Sequence, residues 1–319
     1  MTTATRRSFI ALGASTPALL TANYAGAQDA TAPLPAVTVY RRPLGDREVI
    51  TISDGSFGLD QGLVTNLDGG VLTDAMTKAY LDTSAAIPLA ITVHLIKHDD
   101  HMTMVDAGAG TAFGPASGKL ASVLTAAGID PADIDVILLT HMHPDHIGGL
   151  IDGDGAVFPN AVVHVSATDL GFWTDEAIAA GAPESAQGFF ALARGVASTY
   201  GDRLETFEGQ TDMGHGFTSM PLPGHTPGHT GYLVDSGNDA LLIWGDATAV
   251  AAYQFSHPEA GIAFDADGAA AAATRRAMYD MVITDRLAVT GTHLPFPGYG
   301  HVERSGDAYT WVPEEWKYL

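Results

Sequence analysis

The chain has 319 residues, 46% of them hydrophobic, so it can bury a substantial core. Its formal net charge at pH 7 is -22, and a field of that sign repels nucleic acid and acidic lipid. The chain contains no cysteine, which excludes disulfides, thiolate metal sites and cysteine nucleophiles. Any metal ion must therefore be held by His, Asp or Glu.

The first 27 residues have the features of an export signal in the expected order. Arg6 and Arg7 precede a moderately apolar stretch, residues 11–22, that is too short to span a membrane. Ala25, Gly26 and Ala27 then offer a cleavage site made of small residues. The paired arginines resemble a twin-arginine signal, and an ordinary secretory signal is the alternative. We expect residues 1–27 to be removed and the mature protein to be periplasmic or secreted, without a stable membrane anchor.

Short β-branched or apolar runs between turn residues predict the first strands of a sheet, at residues 37–40, 48–52, 91–96 and 102–105. Helical spacing follows at residues 119–127, and residues 136–139 have the pattern of a buried strand. Later strands are predicted at residues 162–165, 231–234, 240–244 and 287–290, and helices at 169–180, 186–194 and 269–284. Two batches of strands with helices between them favour an α/β (α+β) protein with a four-layer αββα sandwich, although periodicity alone also fits other α/β arrangements.

A histidine-rich motif follows the strand predicted at residues 136–139, and it reads Thr140-His141-Met142-His143-Pro144-Asp145-His146. In an extended chain alternate residues share a face, so His141 and His143 can point at one ion. Pro144 ends the strand, and Asp145 and His146 then lie on a turn from which they can reach a second ion. The alternative is a polar loop that happens to be rich in histidine. Three imidazoles crowded beside a buried strand would repel one another when protonated, so the motif indicates a metal site.

Two ions need further ligands, and later motifs offer them after predicted strands. His225 in the GHTPGHT motif is a third imidazole for the first ion. Asp246 follows the apolar run 241–244, and its two oxygens can bridge two cations. His293 supplies the remaining imidazole. His229 is close enough to His225 to orient neighbouring groups or simply to pack, and we predict that it is not a ligand.

These motifs resemble those of the metallo-β-lactamase superfamily, whose HxHxDH signature matches HMHPDH at residues 141–146. The motifs GHTPGHT, WGD and GTHLPFPGYGH follow in the order of that family, and the resemblance covers nearly the whole chain after residue 27. Within the superfamily the chain looks closest to methyl parathion hydrolase and its relatives, through LGDREVITISDG, VDAGAGTAFGP, THMHPDHIGGL, GHTPGHT and HLPFPGYGH. The resemblance implies that residues 28–319 form a single catalytic domain with the four-layer fold of the family, and it suggests a homodimer.

The resemblance also implies a role for each matching residue. By that similarity one divalent cation is held by His141, His143 and His225, the other by Asp145, His146 and His293, and Asp246 bridges them. Asp106 matches a position that supports the metal ligands without contacting the metal itself. Aromatic positions that line the leaving-group pocket are matched by Phe113, Trp173, Phe189 and Phe190, although each is equally well explained as a core residue.

Two cations about 3.5 Å apart would share a hydroxide whose pKa is lowered toward neutrality, and this hydroxide would attack an ester-like bond. One cation would polarise the C=O or P=O oxygen while the other receives the leaving oxygen, and Asp145 could take up a proton. Imidazole and carboxylate ligands suit Zn²⁺, and Mn, Fe or Co would tolerate the same set. The expected substrate is a small lactone, an aryl or carboxylic ester, or a phosphotriester.

Other activities are known for this fold, and the sequence separates some of them. A cysteine-ligated β-lactamase is disfavoured because the chain has no cysteine, and a cytosolic thioesterase does not suit an export signal. A quorum-signal lactonase stays open, but the tyrosine of those enzymes is absent just after Asp246, so lactone cleavage would need another partner for the oxyanion, for which nearby Tyr253 is a candidate. A mononuclear-iron sulfur dioxygenase, an oxidoreductase, would bind one metal. A periplasmic metal-binding protein without a reaction would need no open coordination position.

Overall fold

A computed structural model describes residues 38–153 and 155–316. The expected export signal, residues 1–27, lies outside the described residues, as does Val37 at the start of the first predicted strand. Among the helices of the described part, none combines the length and the apolar character that crossing a membrane requires.

The described residues contain the following strands and helices. The strands are β1 Val39–Leu44, β2 Arg47–Leu59, β3 Val64–Thr65, β4 Ile87–His98, β5 His101–Val105, β6 Val136–Leu138, β7 Ile151–Asp152, β8 Gly155–Ala156, β9 Val162–Ser166, β10 Leu204–Phe207, β11 Asp212–Gly214, β12 Phe217–Pro221, β13 Thr230–Asp235, β14 Ala240–Ile243, β15 Gly261–Ile262, β16 Ala288–Thr290, β17 Gly300–Ser305 and β18 Ala308–Pro313. The α-helices are α1 Gly69–Lys78, α2 Leu120–Ala126, α3 Pro144–Ile147, α4 Ala167–Thr174, α5 Glu176–Gly181, α6 Glu184–Tyr200, α7 Ala251–Gln254 and α8 Gly268–Asp285.

Two seven-stranded sheets contain most of the strands. The first has the order β1-β2-β4-β5-β6-β9-β10, antiparallel from β1 to β5 and parallel from β5 to β10. The second has the order β11-β12-β13-β14-β16-β17-β18, in which β14 and β16 are parallel and the other neighbours antiparallel.

The two sheets enclose an apolar layer because alternate residues of a strand point to opposite faces. Val105 of β5 points into this layer, where it belongs to the same buried cluster as Leu241 of β14. Its neighbour Met104 points the other way, into a cluster shared with α2, α4 and α6. On the far side of the second sheet, Leu242 packs in a cluster with Tyr279 and other residues of α8. The layers are therefore helix, sheet, sheet and helix, which confirms the predicted αββα sandwich.

Some predicted elements have different bounds in the structure. The strand predicted at residues 48–52 continues to Leu59, past a bulge between Ser53 and Gly55. The single helix predicted at residues 169–180 is wrong, because α4 ends at Thr174 and α5 begins at Glu176. Asp175 separates the two helices. Its carboxylate accepts hydrogen bonds from the first backbone N–H groups of α5, which starts a new helix.

Candidate metal centre

The histidine-rich motif lies where the parallel strands β5 and β6 end side by side. Asp106 follows β5 in a left-handed conformation, with φ of 60°. One of its carboxylate oxygens accepts the backbone N–H of Thr140 at 2.8 Å, and the other accepts His146 Nδ1–H at 2.8 Å. The loops after the two strands are thus tied together by a buried carboxylate. Asp106 therefore contacts one candidate ligand, His146, and the residue before another, His141.

His141, His143 and His225 form the first group, and their ring nitrogens converge. His141 Nε2 and His225 Nε2 each lie 2.9 Å from His143 Nδ1. His141 Nδ1 faces Thr140 Oγ1 at 3.0 Å, so its Nε2 is the nitrogen that points inward. All three imidazoles are buried. Three nitrogens that face one point can hold one metal ion.

Asp145, His146 and His293 form the second group. Asp145 Oδ2 lies 3.3 Å from His293 Nε2 and 3.7 Å from His146 Nε2. His293 Nδ1–H donates to the carbonyl oxygen of Ala90 at 2.6 Å, which directs its Nε2 inward. This group can hold a second ion.

Asp246 lies between the two groups. Its Oδ2 is 3.4 Å from His225 Nε2 and 3.0 Å from His293 Nε2, and its Oδ1 is 3.4 Å from His146 Nε2. The preceding Gly245 has φ of 54°, and a Cβ there would lie 2.7 Å from His229 Nε2, so the turn that presents Asp246 requires glycine. One carboxylate therefore faces ligands of both groups.

His229 has no free nitrogen for a metal ion. Its Nδ1–H donates to the carbonyl oxygen of Leu222 at 3.0 Å, and its Nε2 accepts the backbone N–H of Asp246 at 3.0 Å. Both ring nitrogens bond to the backbone, so neither is available to a metal ion. His229 instead holds the backbone of Asp246 in place.

The chemistry of these residues fits divalent cations. Two buried atoms at the centre, His146 Nε2 and Asp246 Oδ1, have no hydrogen-bond partner among the described residues. These two atoms lie 3.4 Å apart, and a cation bound by both would satisfy them once the His146 nitrogen has lost its proton. With no cysteine in the chain, the donors are imidazole nitrogens and carboxylate oxygens, a set that zinc and several other divalent metals accept.

The pKa shifts of the buried histidines reflect the electrostatic potential at this centre. Burial, and then the charges of neighbouring imidazoles, lowers the pKa of His141 and His143 well below the usual value, so both are neutral and able to bind metal. Burial also acts to lower the pKa of His146, but the charges of Asp246, Asp106 and Asp145 outweigh it and raise that pKa well above its usual value. The carboxylates therefore create a strongly negative potential inside the protein, which favours bound cations.

A cavity with aromatic walls opens onto these two groups. His143, Asp145, His225, Asp246 and His293 form its polar floor, and its walls include Phe57, Phe113, Phe189, Phe264, Leu59, Leu89 and Ile262. The rings of Phe57 and Phe113 stack at 4.6 Å between centroids on one side. Those of Phe189 and Phe264 lie 6.4 Å apart. Such walls favour a small molecule with an apolar group next to the candidate metal site.

Two of the four predicted pocket aromatics do not line this cavity. Trp173 and Phe190 are buried in the core, 4.8 Å apart between ring centroids, and the Trp173 ring packs against the His143 ring at 5.1 Å. Phe189 and Phe190 are neighbours on α6, and successive helical residues point about 100° apart, so only Phe189 reaches the cavity. Tyr253 is also buried, and its hydroxyl faces the carbonyl oxygen of Gly261 instead of the cavity.

Sequence reasoning missed two carboxylates that support the metal ligands. Asp169 Oδ2 accepts the N–H of Met142 at 2.8 Å and its Oδ1 accepts that of Gly228 at 3.1 Å, which ties the two histidine motifs together. Burial raises the pKa of Asp169. Asp265 Oδ1 accepts His225 Nδ1–H at 2.8 Å. Neither residue lies in a motif that contains a ligand, so nothing in the local sequence indicated its role.

Comparison with known proteins identifies the family. The family model described as the metallo-beta-lactamase superfamily matches residues 86–284, more than half of the chain. The chain belongs to the metallo-β-lactamase superfamily. Probable metallo-hydrolases of Mycobacterium bovis and Mycobacterium tuberculosis are each 29% identical over 197 residues, which are 52% of this chain and 59% of the relative. The chain thus spans 59% of the length of these curated relatives.

Two solved structures are similar to this chain over most of its length. The hydrolase AbOPH, in the β-lactamase superfamily, is 29% identical with a TM-score of 0.83, covering 88% of this chain and 99% of its own. AidC, a dizinc quorum-quenching lactonase in complex with a homoserine product, is 26% identical with a TM-score of 0.83, covering 88% of this chain and 98% of its own. The His and Asp groups of this member of the superfamily can hold divalent metal ions.

Proposed function

We propose that the protein is a dinuclear metal-dependent hydrolase that cleaves an ester-like bond in a small molecule. One observation carries this proposal: the two carboxylate oxygens of Asp246 face ligand nitrogens of both groups, at 3.0 to 3.4 Å. A carboxylate in that position can hold two cations side by side, which a site for one ion does not need.

Each ligand has a role in the proposed reaction. His141, His143 and His225 would hold one cation, Asp145, His146 and His293 the other, and Asp246 would bridge them. Divalent cations, when bound, lower the pKa of a water and polarise the oxygen of the bond that breaks. Asp145 faces His293 with one oxygen, and we assign to its carboxylate the proton that the attacking water loses.

The aromatic walls favour a substrate with an apolar group next to the scissile bond. Phe57, Phe113, Phe189 and Phe264 surround the space above the ligands, so a bound aryl or acyl group would displace water from it. This arrangement supports the proposal that the chain is related to the methyl parathion hydrolase-like proteins. Aryl or carboxylic esters and phosphotriesters are the substrates that we propose on this basis, with Zn²⁺ as the metal.

A lactone is the second candidate substrate, because the structural neighbour AidC is a dizinc quorum-quenching lactonase. Tyr253 cannot polarise the lactone carbonyl, since it is buried away from the cavity. In lactone cleavage by this chain, the cations and not Tyr253 would therefore stabilise the negative charge on the carbonyl oxygen.

A substrate panel with measured metal content tests the proposal. Residues 28–319 would be purified, loaded with Zn²⁺, Mn²⁺, Fe²⁺ or Co²⁺, and assayed with a p-nitrophenyl ester, an acyl-homoserine lactone and a phosphotriester. We expect two metal equivalents and turnover of at least one substrate. Asp246→Ala should lose one metal equivalent and nearly all turnover. Asp307→Ala, an exposed carboxylate in the β17–β18 turn, is the control and should change neither.

The alternatives give different results in the same experiment. One metal equivalent with oxygen consumption would favour a mononuclear-iron sulfur dioxygenase. Two equivalents without turnover of any substrate would favour a metal-binding protein.

We also propose that the protein is exported through its paired arginines and forms a homodimer. Cell fractionation with Arg6→Lys and Arg7→Lys combined should show retention in the cytoplasm if the signal is of the twin-arginine type. Light scattering on the purified protein would measure its mass, and the mass of one chain would contradict the dimer.

A further inference from the structure

A buried carboxylate stands directly behind one of the proposed metal ligands. Asp265 Oδ1 lies 2.8 Å from His225 Nδ1, and both side chains are only 3% exposed. Because Nδ1 donates its proton to Asp265, the lone pair of the ring is on Nε2, which faces His143 Nδ1 at 2.9 Å. The bond thus fixes the tautomer of His225 that can bind a metal ion.

The segment that carries Asp265, residues 261–267, is attached to the loop of His225 at several points. The backbone N–H of Ala266 donates to the carbonyl oxygen of His225, and that of Asp267 to Gly224, both at 2.9 Å. Asp265 Oδ2 accepts the N–H of Ile262 at 3.1 Å, so both carboxylate oxygens are held. A Cβ at Gly261 would lie 2.6 Å from Asp265 Oδ2, which leaves room for glycine alone.

A buried arginine anchors the same region from α8. Arg275 Nη1 donates to the carbonyl oxygens of Pro258 and Ala260, at 2.8 and 2.9 Å. Its Nε donates to the carbonyl oxygen of Ala247 at 2.7 Å, one residue after Asp246. The chain leading to Asp265 and the turn that presents Asp246 are therefore held by one guanidinium group.

The second ligand group has its own carboxylate. Asp106 Oδ2 accepts His146 Nδ1–H at 2.8 Å, in the same way that Asp265 accepts from His225. Each group thus contains one imidazole held by a carboxylate, and the two carboxylates belong to different parts of the chain. Removing Asp265 therefore leaves the carboxylate that holds His146 in place.

We propose that Asp265 is a positioning residue for His225, and that it selectively strengthens binding of the cation held by His141, His143 and His225. A carboxylate behind a ligand imidazole fixes the ring and increases its basicity, and its loss typically weakens metal binding about 10- to 100-fold. The inference rests on the proposed function only in taking His225 as a metal ligand.

Metal titration measures this effect without any turnover. Metal-free protein would be titrated with Co²⁺ in competition with a chromophoric chelator, and the Co²⁺ absorption spectrum recorded at each addition. We expect two binding steps for the wild type. In Asp265→Asn one step should weaken by about 10- to 100-fold with a changed spectrum, while the other step stays within about twofold.

Asp267→Asn is the matched control. Asp267 lies in the same segment, and its side chain accepts the N–H of Ala270 at the start of α8 without contact to a proposed ligand. Both Co²⁺ binding steps of the Asp267→Asn variant should equal those of the wild type. Equal weakening in Asp265→Asn and Asp267→Asn would mean that the segment has only a structural role, and would overturn the inference.

A double-mutant cycle separates positioning from general loss of structure. In the background of His225→Ala, the further change Asp265→Asn should leave the remaining Co²⁺ affinity unchanged, because the ligand through which it acts is gone. Asp265→Ser, which removes the carboxylate with a smaller side chain, should repeat the selective loss if the Asn variant folds poorly. Two normal binding steps in Asp265→Asn would overturn this inference and leave the proposed function standing, whereas no Co²⁺ binding by the wild type would overturn both.

Discussion

His94 is a buried imidazole outside the two ligand groups, and it makes stability depend on pH. Its Nε2 lies 3.0 Å from Thr290 Oγ1, and burial lowers its pKa to about 3. In the unfolded chain its pKa is about 6.5. Below that pH the unfolded state binds a proton that the folded state does not, so this contribution to stability is lost as pH falls. The expected slope is about 1.4 kcal/mol per pH unit.

The variant His94→Gln tests this dependence, because a glutamine amide can reach Thr290 without titrating. Urea unfolding of both proteins at pH 7, 6 and 5, with a chelator present, would give the free energies of unfolding. We expect the advantage of the wild type over His94→Gln to shrink as the pH falls, toward about 1.4 kcal/mol per unit below the unfolded pKa. Equal pH slopes for the two proteins would show that His94 is protonated in the folded state.

Phe264 and Trp173 both lie near His143, but they should respond differently to truncation. Phe264 is 37% exposed at the cavity wall, whereas Trp173 is 5% exposed and packs in the core. Phe264→Ala should raise the KM for an aryl ester with little change in thermal stability. Trp173→Ala leaves a cavity behind His143 and should reduce the free energy of unfolding by about 3 to 5 kcal/mol.

Kinetics and denaturant unfolding of the two variants would check this difference. A large loss of stability in Phe264→Ala would place Phe264 in the core. An unchanged free energy of unfolding in Trp173→Ala, with altered ester selectivity, would restore the sequence prediction that Trp173 lines the pocket.

At the scale of elements, the strands next to the ligands were predictable and several outer elements were not. β5, β6 and β14 are short, largely apolar runs that are followed within two residues by a polar residue or a glycine, so their ends could be read from the sequence. In the hairpin β17–β18, the strand β17 has exposed charged residues such as Glu303 and Arg304, and it gives no apolar run to detect. α1 was missed as well, since only three of its ten residues are buried.

The residues of the candidate site also divide into those that the sequence indicated and those that it did not. Four potential ligands lie within residues 141–146, and the others follow predicted strands, so their positions in the sequence were enough to identify them. Asp265 and Arg275 act through contacts with residues 40 and 28 positions away, respectively. Such contacts leave no local pattern in the sequence. They become visible only when the folded chain brings the partners together.

Arg275 is an element-scale support whose loss should destabilise the protein. It is 1% exposed, and its guanidinium group donates to three backbone carbonyl oxygens, one between β14 and α7 and two between α7 and β15. Arg275→Met fills similar space but leaves these buried acceptors without donors. Since each unsatisfied buried group costs about 1 to 3 kcal/mol, we expect a loss of about 3 kcal/mol or more in the free energy of unfolding.

Arg276→Met is the control for that substitution. Arg276 is the next residue of α8, is about half exposed, and pairs on the surface with Glu259 at 2.7 Å. Exposed ion pairs contribute about 1 kcal/mol or less, so this variant should unfold almost as the wild type does. Denaturant unfolding with equal losses in both variants would contradict the assigned role of the buried guanidinium.

At the scale of the whole molecule, stability should depend on metal ions because both sheets of the sandwich contribute ligands. His141, His143 and Asp145 follow the first sheet, whereas Asp246 and His293 follow strands of the second. Cations held between them would join the two sheets and offset the repulsion between Asp145 and Asp246. A ligand that binds only the folded state stabilises it by about 2.7 kcal/mol when present at 100 times its Kd.

Removing the metal with a chelator should therefore lower the Tm. Two sites at that level of saturation contribute about 5 kcal/mol, which for a chain of this size corresponds to a fall of roughly 10 to 20 °C. Adding Zn²⁺ or Co²⁺ in excess of the chelator should restore the Tm, as differential scanning calorimetry would measure. Asp246→Ala should show a much smaller metal-dependent change, because the carboxylate that faces both groups is absent. If the Tm of the wild type were the same with chelator and with metal, the residues at the two sheet edges would not be joined by bound cations.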